Sequence, residues 1–264
     1  MSDETGQTQT LNDPMDVARA NAMLAALGRP SNLQPMDALP PFFHHLYFWD
    51  AQPPAALGRD GHPKTGGLVP DTGLPRRMWA AGKLTFHRPL LAGVRAEKVT
   101  TVESVERKTG RSGPLAFVRL RHDIKQRQTL AVTEMQDLVY REDKPQTPPS
   151  PPAAPTGASE TQKVSFDSTL LFRYSALTFN GHRIHYDEAY AREVEGYDGL
   201  VVHGPLIAQL LMLMAEDHAG PLNRFAYRAT SPLMHHETAT LCRNGRNLWA
   251  QGPDGRQLML ADFS

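Results

Sequence analysis

The amino-acid sequence predicts an α+β protein in which antiparallel strands outnumber helices. Between residues 83 and 140, four segments alternate in polarity or are rich in β-branched and aromatic residues, as strands are. Later in the chain, Val201–Leu213 is apolar on every face and predicts a buried helix. Further strand candidates follow it, an order typical of one central helix wrapped by an antiparallel sheet.

The charge balance argues against several classes of partner. Lys plus Arg (28) equals Asp plus Glu (28), so no net charge favours nucleic acid or an anionic membrane surface. The most apolar run, Leu200–Ala215, is interrupted by polar residues and is too short to span a membrane. The lone Cys242 can form no intramolecular disulfide and the first ten residues lack a secretory signal, so we expect a cytoplasmic protein.

A segment rich in Pro, Ser, Thr and Ala divides the chain. Residues 143–162 nearly lack large apolar side chains and are predicted to be a linker. They separate an N-terminal part, residues 1–142 with a mobile N-terminus, from a C-terminal part, residues 163–264. Both lengths are ordinary for a domain, so two modules are expected.

The N-terminal part is predicted to begin with a helix and to continue as strands. Met15–Leu27 has apolar residues at helical spacing and stops at Gly28 and Pro30, a common helix ending. The sequence GRSG at residues 110–113 predicts a hairpin turn. The predicted strands are Lys83–Arg88, Lys98–Val105, Leu115–Arg121 and Thr129–Tyr140.

The C-terminal part is predicted to begin with a strand, Ser168–Thr178, that leads into a polar loop. Two helices are predicted after this loop, near Asp187–Val194 and His203–Glu216. The turn-rich stretches NGRN and GPDGR accompany the last strands. These strands are Arg224–Thr230, Thr238–Arg243 and Leu258–Phe263.

Candidate catalytic residues concentrate in the polar loop. Asn180 and His185 are five residues apart, and the Asn180-Gly181 pair favours a turn, so the two side chains could converge on one small volume. A histidine titrates near neutral pH and suits a general base, while the asparagine amide suits a partner that orients water. The alternative is that the loop only caps the following helix.

Gly204 and Pro205 open the buried helix. Proline is well tolerated in the first helical turn, and a glycine there has no side chain to block a ligand. Free N–H groups and the positive end of the helix dipole could therefore stabilise an oxyanion on a thioester carbonyl. Close packing of the helix against a sheet is an equal alternative for Gly204.

The segments SALTFNGHRIHYDEAYA and GLVVHGPLIAQLLM resemble the MaoC-type (R)-specific hydratase family. The resemblance covers most of the C-terminal part. It is closest to the branch of type 2 3-hydroxyacyl-thioester dehydratases and itaconyl-CoA and mesaconyl-CoA hydratases. It implies a double hot-dog fold, two modules that each wrap a sheet around a central helix. The stretches PFFHHLYF and LPRRMWAAGKLTFHRPL resemble the degenerate first hot-dog of these proteins, which lacks the active-site motif.

The resemblance also implies roles for individual residues. His185 matches the catalytic histidine, and Gly204 matches the glycine whose N–H polarises the thioester carbonyl. Asn180 stands where most of the family has Asp, a departure that looks normal for this branch but removes a charge. The substrate-binding candidates are His182, His203, Arg173, Arg183, Arg76 and Arg77.

The implied reaction is addition or removal of water across the α,β double bond of an acyl-CoA thioester, with no metal or other cofactor. Arg183 within the loop and Arg173 before it favour a substrate with a second carboxylate, hence a short branched dicarboxylyl-CoA of the itaconyl-CoA or mesaconyl-C4-CoA type. Either arginine could instead face solvent or pair with Asp187 or Glu188. A fatty 3-hydroxyacyl-thioester dehydratase and a non-catalytic acyl-thioester-binding protein remain open alternatives.

The adenosine phosphates of CoA are expected to meet basic side chains at the rim of the cavity. The candidates are Arg76, Arg77, Lys83 and Arg88. Hot-dog folds commonly pair their sheets, so a homodimer is a further expectation.

Other chemistries find little support in the sequence. We interpret the adjacent pairs His44–His45 and His235–His236 as surface residues that cannot both face one ion, and no HxxxH or HExxH spacing occurs. No GxSxG, GxGxxG or P-loop is present, which argues against a serine nucleophile and nucleotide-dependent reactions. Cys242 lies in a predicted strand without a recognisable base.

Overall fold

One antiparallel sheet of ten strands runs through the described residues 5–110, 113–143 and 150–264 of the computed structural model. The strand order across the sheet is β1-β3-β4-β5-β2-β7-β10-β9-β8-β6. The strands are β1 Thr8–Asp13, β2 Arg76–Phe86, β3 Ala96–Gly110, β4 Gly113–Gln126, β5 Thr129–Arg141, β6 Glu160–Ser165, β7 Arg224–Ala229, β8 Thr238–Asn244, β9 Asn247–Gln251 and β10 Gln257–Phe263.

Four α-helices accompany the sheet in the described part of the chain. They are α1 Val17–Ala26, α2 Ser168–Thr178, α3 Glu188–Glu193 and α4 Gly204–Ala219. Short 3₁₀ turns occur at Phe43–Leu46, Pro54–Ala56 and Arg183–His185. Helix α4 buries nine of its sixteen residues and packs against β7, β9 and β10, which confirms the predicted central helix and the α+β class.

The sheet has two halves, β1–β5 and β6–β10, that meet where β2 pairs with β7. At this seam Gly82 lies opposite Tyr227, and a Cβ on Gly82 would lie 2.1 Å from the Tyr227 hydroxyl. The glycine therefore lets the Tyr227 side chain cross β2, and its hydroxyl lies 3.5 Å from the carboxylate of Glu134 on β5. A hydrophobic cluster that includes Leu84 and Leu206 draws buried residues from both halves, so the two halves share a core.

Ser168–Thr178 is helix α2, so the predicted strand is wrong there. The Asp167 carboxylate caps the helix by accepting the Leu170 N–H at 2.7 Å. Leu171, Tyr174 and Ser175 are buried on one face, a spacing of three to four residues that belongs to a helix. Branched and aromatic residues had favoured a strand, but the cap and the buried face decide the conformation.

Other boundaries also differ from the predictions. Residues 8–13 form β1 and pair with β3, where the sequence predicts a mobile N-terminus. Strand β6 begins at Glu160, inside the predicted linker, because it pairs with β8. Strand β2 begins at Arg76, seven residues before the predicted start, and β9 was not predicted. The predicted turn at residues 110–113 and the linker at 143–162 lie partly outside the described residues.

No helix in the described ranges is both long and apolar enough to cross a membrane.

Candidate active site

A cavity of about 870 Å³ is lined by both halves of the chain. The C-terminal half contributes the loop between α2 and α3 and the first turn of α4. The N-terminal half contributes side chains of β2, β3, β4 and β5 and the segment 44–63. This volume lies within the usual range for small-molecule and cofactor sites, so we take the cavity as the candidate active site.

The loop after α2 is shaped by its own hydrogen bonds. Phe179 ends the helix in the left-handed region, at φ 53°, and the Asn180 N–H donates to the Ser175 carbonyl at 2.9 Å. The Asn180 side-chain oxygen then accepts the His182 N–H at 3.0 Å. The Asn180 amide nitrogen has no partner among the described residues, so it can donate to a ligand or to water.

His185 is held as a neutral base. Its ring is buried and lines the cavity, and Nδ1–H donates to the Val201 carbonyl at 2.7 Å. That bond places the proton on Nδ1 and leaves the lone pair of Nε2 for the substrate side. Burial lowers the pKa of His185 to about 4, and the bond to Val201 opposes this shift only in part. At neutral pH the imidazole can therefore accept a proton.

His203 lies behind His185 and does not line the cavity, contrary to its predicted role in binding substrate. The two rings stack at 3.7 Å between centroids, and Ser175 Oγ lies 2.8 Å from His203 Nε2. His203 is fully buried, so burial, followed by the nearby His185, holds its pKa well below the ordinary value. His203 therefore packs against the face of the His185 ring.

Gly204 is closely packed against a side chain of β2 and also has its N–H open to the cavity. A Cβ at this position would lie 2.8 Å from Cε3 of Trp79, so close packing excludes a larger residue. Gly204 also lines the cavity as the first residue of α4, and its N–H has no hydrogen-bond partner among the described residues. A developing negative charge on a bound carbonyl would be stabilised at this helix terminus.

A second loop, around Asp60–His62, adds a polar chain that sequence reasoning missed. His62 Nδ1–H donates to Asp60 Oδ2 at 2.9 Å, and the His62 ring lies 4.5 Å from that of His182, which in turn lies 5.3 Å from His185. Burial would raise the pKa of Asp60, but the bond from His62 lowers it to about 2. Burial and then His62 lower the pKa of His182 to about 2. This row of polar side chains therefore contains an ionised carboxylate, that of Asp60, beside neutral imidazoles.

Glycine is required where these two loops touch. A Cβ on Gly61, whose φ is +88°, would lie 2.0 Å from the carbonyl oxygen of Gly181. This contact joins segments 120 residues apart in the sequence, so local patterns carry no signal for it.

A second polar network lines the cavity from the N-terminal half. The Glu134 carboxylate is buried and accepts N–H bonds from His44 at 2.8 Å and His45 at 2.9 Å. Burial would raise the pKa of Glu134, but the two histidines hold it well below its usual value. Lys98 and His122 lie in the same network, and burial lowers the pKa of both.

This network contradicts the interpretation of His44 and His45 as surface residues. Their imidazoles converge on one carboxylate because the residues lie in a 3₁₀ turn that faces β5. The ligand atoms of His44, His45 and Glu134 lie within 4.8 Å of one another, as do those of Asp60, His62 and His182. Adjacent histidines can therefore share one partner in this fold.

The model of the family hydroxyacyl-thioester dehydratase type 2 matches residues 42–235. The chain belongs to this family. It is 43% identical to mesaconyl-C4-CoA hydratase of Chloroflexus aurantiacus, over 97% of this chain and 94% of that protein. It is 27% identical to the mitochondrial hydroxyacyl-thioester dehydratase type 2 of Schizosaccharomyces pombe, over 81% of each chain. The predicted activity, a hydro-lyase acting on acyl-CoA thioesters, is thereby confirmed.

Solved structures identify the fold of this family member. HtdX of Mycobacterium tuberculosis superposes with a TM-score of 0.70 at 18% identity, over 97% of this chain and 99% of that one. A conserved hypothetical protein of the same organism, described as a double hot-dog, gives a TM-score of 0.59 at 16% identity, over 98% and 95% of the two chains. The predicted double hot-dog is confirmed.

Two of the arginines predicted to bind substrate, Arg173 and Arg183, lie outside the cavity lining. Arg183 pairs with Asp187 at 2.7 Å and lies over the Tyr190 ring at 4.2 Å, outside the cavity lining. Arg173 is exposed on α2 and also lies outside the lining. The alternative stated for them applies in this structure, since Arg183 pairs with Asp187 and Arg173 faces solvent, and neither is placed to bind a carboxylate inside the cavity.

Of the four basic residues proposed to bind the CoA phosphates, three lie outside the cavity lining and one belongs to it. Arg76 pairs with Glu195 at 2.6 Å and lies over the Tyr197 ring, and Lys83 and Arg88 are exposed outside the cavity. Arg77 alone of these four lines the cavity.

Proposed function

We propose that this chain interconverts a short, branched dicarboxylyl-CoA of the mesaconyl-C4-CoA type and its 3-hydroxy product, with His185 as the acid/base residue. The observation that carries the chemistry is the neutral His185 ring in a substrate-sized cavity: Nδ1 is bonded to the Val201 carbonyl, and Nε2 has no hydrogen-bond partner in the described parts of the chain. Support for the acyl group comes from the relative named mesaconyl-C4-CoA hydratase. Itaconyl-CoA is a second substrate of the same class to be tested.

In this mechanism the free amide N–H of Asn180 holds the oxygen of a water molecule, and His185 Nε2 removes one of its protons. The hydroxide adds to the β-carbon. Negative charge then develops on the thioester oxygen, where the Gly204 N–H and the α4 dipole stabilise it. His185 returns the proton to the α-carbon on the same face, so one titratable group suffices for syn addition. Asn180 cannot ionise and acts by orientation only.

The N-terminal network argues against the alternative of a long fatty acyl chain. Glu134 carries a negative charge, and Lys98, His44 and His45 lie beside it on the cavity wall. These groups make this part of the cavity wall polar and charged, so an apolar chain laid against it would gain less than it gains against apolar side chains. The yeast relatives named as type 2 dehydratases, which keep this alternative open, are more distant.

The test is loss of the enoyl-thioester absorbance with mesaconyl-C4-CoA, itaconyl-CoA and octenoyl-CoA. We expect the highest kcat/KM with a dicarboxylyl-CoA, and a loss of about 10²–10⁴-fold in turnover for a folded His185→Ala variant. Equal or better performance on octenoyl-CoA would move the protein to fatty-acid metabolism. No turnover of any of the three would favour a non-catalytic thioester-binding protein.

We further propose that the reaction requires no metal or organic cofactor, since His185, Asn180 and Gly204 supply a group for each step. A cytoplasmic location is proposed from the single, unpaired cysteine, Cys242, because disulfides are rare in that compartment. A homodimer is proposed because hot-dog sheets commonly pair; its mass would be checked by light scattering.

A further inference from the structure

Two consecutive arginines on β2 have opposite environments. Successive side chains of a strand point to opposite faces, and Arg76 points to Glu195, to which it is bonded. Arg77 instead lines the cavity, opposite Tyr140 on β5. Among the described residues it has no hydrogen bond and no ion pair. A half-buried guanidinium in this position lacks the acidic partner that normally accompanies it.

No group near Arg77 serves as that partner among the described residues. His62 and His182 feel its charge, which contributes to lowering the pKa of each. The Asp60 carboxylate accepts the ring and backbone N–H groups of His62, at 2.9 and 3.1 Å, and forms no ion pair with Arg77 among the described residues. The guanidinium is therefore available to an anion that a ligand brings into the cavity.

The other cation on the cavity wall has a different setting. Lys98 lies on β3, in the network of Glu134, and that carboxylate, with Asp50, compensates its charge in part. Arg77 lies on the side of the cavity formed by the loop that carries His185. It is two residues before Trp79 on β2, and Trp79 packs against Gly204. A charge bound close to the reacting carbons would therefore meet Arg77 rather than Lys98.

The substrate proposed above carries its charge at that point. In mesaconyl-C4-CoA the free carboxylate is attached to the β-carbon, the same carbon that accepts hydroxide, so it must lie within a few ångströms of the water held by Asn180 and His185. We propose that Arg77 binds this distal carboxylate through a bidentate pair and thereby selects dicarboxylyl-CoA substrates. This inference rests on the proposed function and assigns its specificity to one residue.

The decisive experiment compares two thioesters that differ only at this group. In 3-methylcrotonyl-CoA a methyl group replaces the distal carboxylate of mesaconyl-C4-CoA. We expect Arg77→Met to lower kcat/KM for mesaconyl-C4-CoA by about 100-fold, mostly through KM, and to change kcat/KM for 3-methylcrotonyl-CoA by less than about 3-fold. Arg77→Lys should give a smaller loss, again only on the dicarboxylyl substrate, because it keeps the charge without the planar fork.

Matched variants separate the remaining explanations. Arg173→Met, an exposed arginine outside the cavity, should leave both substrates unaffected. Equal losses on both thioesters in Arg77→Met would overturn the inference in favour of a contact with CoA. A selective loss in Lys98→Met but not in Arg77→Met would assign the carboxylate to Lys98 instead. If Arg77→Met does not fold, as judged by its circular dichroism, Arg77→Lys decides by the same comparison.

These outcomes are distinct from failure of the proposed function. A wild-type protein that hydrates octenoyl-CoA but not mesaconyl-C4-CoA refutes the substrate class before any variant is made. A wild-type protein that hydrates mesaconyl-C4-CoA, together with an Arg77→Met variant of unchanged selectivity, refutes only the role of Arg77.

Discussion

The low pKa of His185 predicts an unusual pH dependence. The general base must be neutral, and burial lowers its pKa to about 4 instead of about 6.5. At pH 5 a histidine with the shifted value is about 90% neutral, whereas an ordinary histidine is about 3% neutral, a difference of roughly 30-fold in active enzyme. The kcat/KM for hydration should therefore stay nearly constant from pH 7 to pH 5 and fall tenfold per unit only below about 4.

The assay is the pH profile of kcat/KM, measured by loss of enoyl-thioester absorbance with 3-methylcrotonyl-CoA alongside the dicarboxylyl substrate. The uncharged acyl group separates titration of the enzyme from titration of the substrate carboxylate. Circular dichroism at each pH verifies that the protein is folded. If kcat/KM of the folded protein instead falls below a pKa near 6.5, the lowered pKa assigned to the buried His185 is refuted.

Four further outcomes are expected. Asn180→Ala should reduce turnover strongly. Asn180→Asp should retain measurable activity, because a carboxylate still accepts the His182 N–H and can hold the water by accepting one of its hydrogens in place of the amide's donation to the water oxygen. Tolerance of Ala with inactivity of Asp would contradict the orienting role. Gly204→Ala should lower both turnover and melting temperature, because its Cβ would meet Trp79; an unchanged melting temperature would place the ring elsewhere. The pKa of His185 is lower in the folded protein than in the unfolded chain, so the unfolded state binds more protons as the pH falls from about 6.5 towards 4. Over that window, His185 should lower the free energy of unfolding by up to about 1.4 kcal/mol per pH unit. Urea titrations at several pH values would measure this loss. Dialysis against a chelator should leave kcat unchanged, and restoration of a lost activity by a divalent ion would instead indicate metal at one of the two histidine–carboxylate groups.

Local sequence patterns predicted the parts of this protein that depend on neighbours in the chain. The apolar run at Val201–Leu213 forms most of α4, since an unbroken apolar surface is stable only when surrounded by other elements. The Asn-Gly turn placed Asn180 and His185 in one loop at the cavity, since the turn depends on adjacent residues. The same reasoning failed for α2, whose composition suits a strand and whose helical state depends on its cap and its buried face.

Pairing across long sequence separations could not be predicted. The pair of Arg183 with Asp187, four residues away, was an alternative open in the sequence, but only the tertiary structure shows that Arg77 lines the cavity without a partner among the described residues. Likewise, burial within the fold lowers the pKa of His44, and the bond to Glu134, 90 residues away, opposes that shift.

The sequence by itself determined the α+β class and placed the candidate catalytic residues in one loop, because helical periodicity and turn chemistry are properties of consecutive residues; the family and the double hot-dog came from the resemblance of two segments to a known family. Only the tertiary structure decided which charges are satisfied within the protein and which remain for a substrate. The physical reason is that an ion pair or a lowered pKa depends on the distance between side chains and on their removal from water, and both are set when β2, β5 and the loops at Asp60–His62 and Asn180–His185 come together.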